Sequence, residues 1–272
     1  MDKVIMKLKI LGARGSVPVE GEQYKIFGGA TSSMQLLVSD NDGNTEEIYF
    51  DAGSGIVSAE VMCESNISIL LTHMHIDHVC GLSFFPALTE KNRRIDIYAA
   101  PRNSLEIEAA LSRLYSPPFW PVGIKDYPAD VHFHGIEKTF MIKNVRVDTL
   151  EVNHPGGSTT YKVSYGGKTV VYAADYEHTG KTDMRLADFV KDCDLLIYDG
   201  QYTEEEYKVC KGYGHSIPEV GVKIAKLANV KNMIISHHSP AHNDSCLEVW
   251  EKKLRMESPN LSFARIGEEI VI

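Results

Sequence analysis

The chain has 272 residues, of which 43% are hydrophobic and 24% charged, and its formal net charge is -9. That is the composition of a soluble globular protein able to bury a full core, and the negative balance argues against broad electrostatic binding to nucleic acid. No apolar run approaches the ~20 residues of a membrane span, and the alternating MDKVIMKLKI start lacks a signal-peptide core, so no membrane partner and a cytoplasmic location are expected.

In chain order, Lys3 to Leu11, Met34 to Ser39 and Glu47 to Asp51 are short apolar or alternating runs separated by Gly, Asn and Ser clusters, and they read as strands. Ile67 to Thr72 follows as a buried strand, with a helix expected after Asp77. Ile95 to Ala99 is a further strand, and Leu105, Ala109, Leu111 and Leu114 give Ser104 to Tyr115 helical spacing. Val145 to Val152 and Tyr161 to Tyr165 read as strands, and Gly166-Gly167 makes a tight hairpin turn into Lys168 to Ala173. Asp194 to Tyr198 and Asn232 to Ser236 are short buried strands, while Pro218 to Ala228 and Ser245 to Met256 are amphipathic helices with Ser216 and Asp244 as N-caps. Strands that lead and then alternate with helices predict two sheets packed face to face with helices outside, in one domain over residues 1–272.

The chemistry is concentrated at strand ends. His73-Met74-His75-Ile76-Asp77-His78 puts three imidazoles and a carboxylate within six residues, directly after the run Ile67 to Leu71. Neutral nitrogen and anionic oxygen donors suit zinc, manganese or iron. His154 follows Val145 to Val152, Asp175 follows Thr169 to Ala174, and His237-His238 follow Ile234-Ile235-Ser236, so loops at one sheet edge can bring these groups together. One such residue is ordinarily a cap or a surface group; four strand ends with the same chemistry supply ligands for two metals. The five cysteines are scattered, never paired as C-x-x-C, and argue against a zinc knuckle or a disulfide framework; most are expected to be buried small hydrophobes.

These motifs resemble the metallo-β-lactamase superfamily over nearly the whole chain, with H-x-H-x-D-H intact at His73, His75, Asp77 and His78. The resemblance implies an α/β fold, a four-layer αββα sandwich, in which His73, His75 and His154 hold one metal. Asp77, His78 and His237 would hold the second, and Asp175 would bridge them. An Asp at position 175 is typical of the dinuclear hydrolases, whereas the β-lactamases proper usually carry Cys, and His75 stands where flavo-diiron proteins commonly have Glu. Gly214-His215-Ser216, the stretch Gly12 to Pro18 and Thr31-Ser32-Ser33 resemble the ribonuclease Z and cyclic-nucleotide phosphodiesterase branch. There the residue matching His215 is catalytic, and Asp199 matches the acidic partner that orients it.

Two divalent cations roughly 3.5–4 Å apart lower the pKa of a bridging water and screen a phosphodiester's charge. His215, protonated and held by Asp199, can then serve the leaving oxygen, and Asp77 can steer the nucleophile's proton besides acting as ligand. The expected cofactors are two divalent ions, zinc first, with manganese or iron as alternatives. Ribonuclease Z carries a long arm that grips transfer RNA, and Pro155 to Ala174 leave room only for a hairpin. The cysteine pattern also lacks the extra zinc site of the phosphonate-pathway cyclic phosphodiesterase. A small cyclic or linear phosphodiester is therefore the expected substrate, with long nucleic acid disfavoured. The alternatives are a lactonase or thioesterase, and a non-hydrolytic diiron protein that binds oxygen. Relatives in this branch are often homodimers, which offers one role for the stiff, aromatic segment Ser116 to Val122. His178, His238 and His242 stay outside the ligand set, and His132 and His134 read as surface residues.

Overall fold

The computed structural model describes residues 5–40, 43–62, 66–102 and 106–272. Its first half supplies β1 (Ile5–Gly12), β2 (Ser33–Ser39), β3 (Thr45–Phe50), β4 (Ile67–Leu70), β5 (Arg94–Ala99) and β6 (Asp130–Gly135). The second half supplies β7 (Thr139–Ile142), β8 (Val145–Val152), β9 (Ser158–Tyr165), β10 (Lys168–Ala173), β11 (Leu195–Asp199), β12 (Asn232–Ser236), β13 (Leu261–Phe263) and β14 (Glu269–Val271). Two seven-stranded sheets form, ordered β14-β1-β2-β3-β4-β5-β6 and β13-β12-β11-β10-β9-β8-β7. The last strand thus crosses back to pair with the first, antiparallel.

Apolar alternation explains the layering. On β11, Leu195 and Ile197 enter the core between the sheets, while Leu196 and Tyr198 pack beneath the outer helices. On β4, Leu70 faces inward, and Ile67 and Ile69 face the opposite layer. Strands buried on both faces read as continuous apolar runs, which is why periodicity found them readily. The helices are α1 (Ile76–Val79), α2 (Ile107–Leu114), α3 (Lys181–Phe189), α4 (Glu204–Cys210), α5 (Pro218–Leu227) and α6 (Asp244–Arg255). Helix α6 lays Leu247, Trp250 and Leu254 on the second sheet. The αββα sandwich is the observed fold.

Strand direction is what positions the site. β3, β4, β5 and β6 run parallel, and so do β10, β11, β12 and β13. β8 and β10 are both antiparallel to β9, so β8 points the same way as β10. The carboxyl ends of β3, β4, β8, β10, β11 and β12 therefore open onto one edge of the sandwich, the side where ligands of such sheets gather.

Several local expectations need correction. The N-cap of α5 is Ile217, not Ser216, and Pro218 at the first turn has no N–H that would need a capping acceptor. Asn243 caps α6 by accepting from the Cys246 N–H, while Asp244 turns its carboxylate to the Ile26 and Phe27 N–H groups. The helix expected after Asp77 is a single turn followed by 3₁₀ segments. Among the described cysteines only Cys193 is fully buried; Cys246 on α6 is exposed. Helices α3 and α4 and strands β7, β13 and β14 were not legible from periodicity, being short or mostly polar on their outer face. The expected starts at Lys3 and Ser104, and Cys63, lie outside the described residues.

Arg14 locks the loops that follow β1 and β12. Its guanidinium is fully buried and donates to the Gly28 carbonyl at 2.8 and 3.1 Å, to Ser239 O at 2.9 Å and to His242 O at 2.8 Å. Burial lowers its pKa from the ordinary value, opposed by Tyr24 and Asp244. Removing the fork strands three carbonyls away from water. Arg14→Ala is expected to cost about 3 kcal/mol of stability, measured by urea unfolding. A loss below ~1 kcal/mol would mean that the loops are held by other contacts.

Candidate active site

Three turns at the site begin with a residue in the left-handed backbone region: Asp51 (φ 56°) after β3, Asp175 (φ 53°) after β10 and His237 (φ 61°) after β12. Asp and His tolerate that region better than branched residues do, yet each such turn costs roughly 1 kcal/mol or more and persists where its surroundings over-determine it. The sharp turn directs each side chain back over the sheet edge.

Ligand-type atoms of His73, His75, His154 and Asp175 lie within 4.8 Å of one another, and so do those of Asp77, His78 and His237. Asp175 joins the two groups. Its Oδ2 is 3.3 Å from His73 Nε2 and 3.5 Å from His154 Nε2, while Oδ1 is 3.0 Å from His78 Nε2 and 2.9 Å from His237 Nε2. Asp77 Oδ2 lies 3.3 Å from both His78 Nε2 and His237 Nε2, and accepts the Ser16 N–H at 2.7 Å.

The far side of the imidazoles fixes their tautomers. Nδ1 of His78 donates to Asp51 at 2.7 Å, that of His154 to the Gly214 carbonyl at 2.8 Å, and that of His237 to Gln201 Oε1 at 2.7 Å. His73 Nδ1 donates to the Thr72 hydroxyl at 3.0 Å, which passes its own proton to Asp51 at 3.0 Å. With Nδ1 committed in this way, each of these rings turns Nε2 to the centre. His78 Nε2 and His237 Nε2 then face each other at 3.2 Å, a repulsive contact that a cation between them would reverse. His73 Nε2 and Asp175 Oδ1 are buried without any hydrogen-bond partner. Five imidazoles and two carboxylates converging on one point, two of their atoms without any partner, fit a dinuclear divalent metal site.

The electrostatics agree. Burial pulls His73, His75 and His154 below the ordinary imidazole value, outweighing the attraction of Asp175. Burial also opposes the charged form of His237, but Asp175, then Asp77 and Asp199, overcome it and push its pKa up to about 10; His78 is raised in the same way by Asp175, Asp51 and Asp77. Burial favours the neutral acid at Asp77 and Asp175, yet the surrounding imidazoles hold both carboxyls well below the usual range. This negative field is one that divalent ions neutralise, displacing protons as they bind.

Backbone packs tightly behind the rings. A Cβ on Gly15 would sit 2.4 Å from the His237 ring, and one on Gly214 2.2 Å from His154 Nδ1. His215 stacks on His237 with centroids 4.8 Å apart, and its Nδ1 meets Asp199 Oδ2 at 2.8 Å. Asp199 is anchored by the Tyr176 and Gln201 N–H groups. His215, His75, Asp77 and Asp175 line one open cavity of about 400 Å³.

The nine residues singled out from sequence thus converge. His238 does not: it points away, with Nε2 on the Ala264 carbonyl and its ring against Phe263, and burial pushes it down to about 3. His242 pairs with Glu206 and His178 with Ser216, both off the centre. Asp51, Gln201 and the Gly214 carbonyl were missed. Asp51 carried a readable signal, since it ends the run Ile48-Tyr49-Phe50 as Asp175 ends its own. Gln201 and a main-chain oxygen carry none.

Fold and site define a metal-dependent hydrolase of the αββα class. The model of the beta-lactamase superfamily domain matches residues 47–238, and the chain belongs to that superfamily. Ribonuclease Z of Bacillus subtilis (strain 168) is 24% identical over 301 residues, covering 91% of this chain and 93% of its own. Among solved structures, the metallo-beta-lactamase fold protein YhfI from Bacillus subtilis superposes with a TM-score of 0.73 at 19% identity, covering 99% of this chain and 100% of its own. Human tRNase Z, short form, superposes with a TM-score of 0.66 at 18% identity, covering 97% and 98%.

These relatives correct one expectation. Net charge and the short hairpin disfavour long nucleic acid and favour a small phosphodiester, yet a relative aligned over nine-tenths of the chain is a ribonuclease. Net charge is a property of the whole surface, whereas phosphate is met locally, and divalent ions in the cleft would dominate the potential there.

Asp51→Asn keeps the shape of the side chain but removes the charge behind His78 and, through Thr72, His73. Metal affinity is expected to fall about 10- to 100-fold, read by chelator competition, with the far-ultraviolet circular dichroism unchanged. Undiminished affinity would show that Asp51 has only a packing role.

Proposed function

We propose that the protein hydrolyses phosphodiester bonds in RNA, using two divalent ions held by His73, His75, His154, Asp77, His78 and His237, with Asp175 between them. Zinc is the first choice of metal, because a set of five imidazoles and two carboxylates suits it without needing a redox change. The inter-sheet core draws on both halves of the chain, which supports reading residues 1–272 as one hydrolase domain.

When bound, the ions supply Lewis acidity, making water a nucleophile near neutral pH and drawing charge from the phosphoryl oxygens. Asp175 divides its two oxygens between the two histidine groups and so sets their separation. Asp77, tethered by the Ser16 N–H, is placed to accept the proton of the attacking water. His215 serves the other end of the reaction. Its Nδ1 proton is committed to Asp199, so Nε2 is the atom that can deliver a proton to the departing oxygen.

The observation that carries this reading is that His215, held by Asp199 at 2.8 Å, lines the same cavity as the metal-type ligands His75, Asp77 and Asp175. A thioester hydrolase has little need of a held acid there, because a thiolate is a far weaker base than a departing alkoxide.

The test is cleavage of an RNA transcript with a 3′ extension by zinc-loaded protein, by chelator-stripped protein and by His215→Ala. Stripping should abolish cleavage and zinc should restore it. His215→Ala should lower turnover about 100-fold or more at near-normal metal content. An uncut transcript alongside a hydrolysed lactone, or a fully active His215→Ala, would overturn the reading.

A further inference from the structure

Beside the metal-type cluster lies a second cavity of about 230 Å³, lined by His73 and His75 on one side, by Met74, Ile107 and Pro155 as an apolar wall, and by Arg102. Arg102 is incompletely used. Its Nη2 donates to Thr159 Oγ1 at 2.6 Å, and Nη1 makes only a long 3.4 Å contact with Glu151, a side chain 75% exposed. Its Nε is buried with no acceptor at all. A guanidinium offers five N–H donors in a planar fork matched to phosphate or carboxylate oxygens, and an unmet buried donor beside a cavity invites such an oxygen.

The main chain makes room for the fork. A Cβ on Gly157 would lie 2.3 Å from Arg102 Nη1, and the φ of +82° there suits glycine in any case. Pro155, Gly156 and Gly157 directly follow His154, so the guanidinium rests on the loop that carries one of the proposed ligands.

We propose that Arg102 and this cavity form a second anion subsite, which takes a phosphate group adjoining the scissile one. This inference rests on the phosphodiesterase reading for its choice of ligand. A substrate with successive phosphates would place one at the centre and the next at Arg102, with the intervening sugar and base against Met74, Ile107 and Pro155. The exposed Glu151 gives way at little cost, since a long, solvated ion pair contributes little.

The test is calorimetric titration of the zinc-loaded protein with adenosine 3′,5′-bisphosphate and with adenosine 5′-monophosphate. The wild type should bind the bisphosphate about tenfold more tightly, and Arg102→Gln should erase that preference. Arg102→Lys, which keeps the charge but loses the fork, should recover it only in part, and it stands in if the Gln variant does not fold. An unchanged preference in both variants, or equal weakening for the two ligands, overturns the subsite. Because the readout is binding, it is independent of the cleavage assay. A protein that cuts no RNA yet shows the Arg102-dependent preference would lose the catalytic reading and keep the subsite.

Discussion

The structure depends on one buried carboxylate facing in two directions. Asp175 turns one oxygen towards His73 and His154 and the other towards His78 and His237. It can do so because β10 ends in a left-handed turn that lifts the side chain over the seam between the two sheets. The first-half sheet brings His73 and His78 to that seam, and the second-half sheet brings His154 and His237. Neither sheet alone assembles the centre. The αββα sandwich therefore does more than bury apolar surface: it holds two sheet edges in register to within the reach of one aspartate.

The order of stabilisation follows from this. The Gly214 carbonyl, the Thr72 hydroxyl, Asp51 and Gln201 hold the rings from behind, so their orientation is set before any ion is considered. What remains inside is a knot of lone pairs and negative charge that is unfavourable by itself. Such centres exchange folding stability for binding, and the compensation lies in the apolar layers and in Arg14, which ties two of the site loops together.

Much of the fold was legible because buried parallel strands leave continuous apolar runs, as at Ile67 to Leu71 and Asn232 to Ser236. Short edge strands such as β13 and β14 were not, since three residues carry no period. At the site, chemistry at strand ends pointed to His73, Asp175 and His237, and the turn after β3 would have yielded Asp51 by the same logic. Gln201 and the Gly214 carbonyl were beyond reach, because a neutral amide and a main-chain oxygen look alike wherever they occur. Whole-chain charge misled about nucleic acid for a related reason. It averages over a surface on which only a few square nanometres near the cleft would meet a phosphate.

The glycines behind the rings bear on how such a centre can change over time. Gly15 and Gly214 let the polypeptide itself form the rear wall of His237 and His154. A wall of side chains can be trimmed or enlarged one substitution at a time, whereas a wall of peptide units moves only when a loop is rebuilt. The spacing of the ligand atoms is thus inherited with the backbone. Diversification on this scaffold is channelled outward, to the cavity rims, where Met74, Ile76 and Arg102 can vary without disturbing the interior.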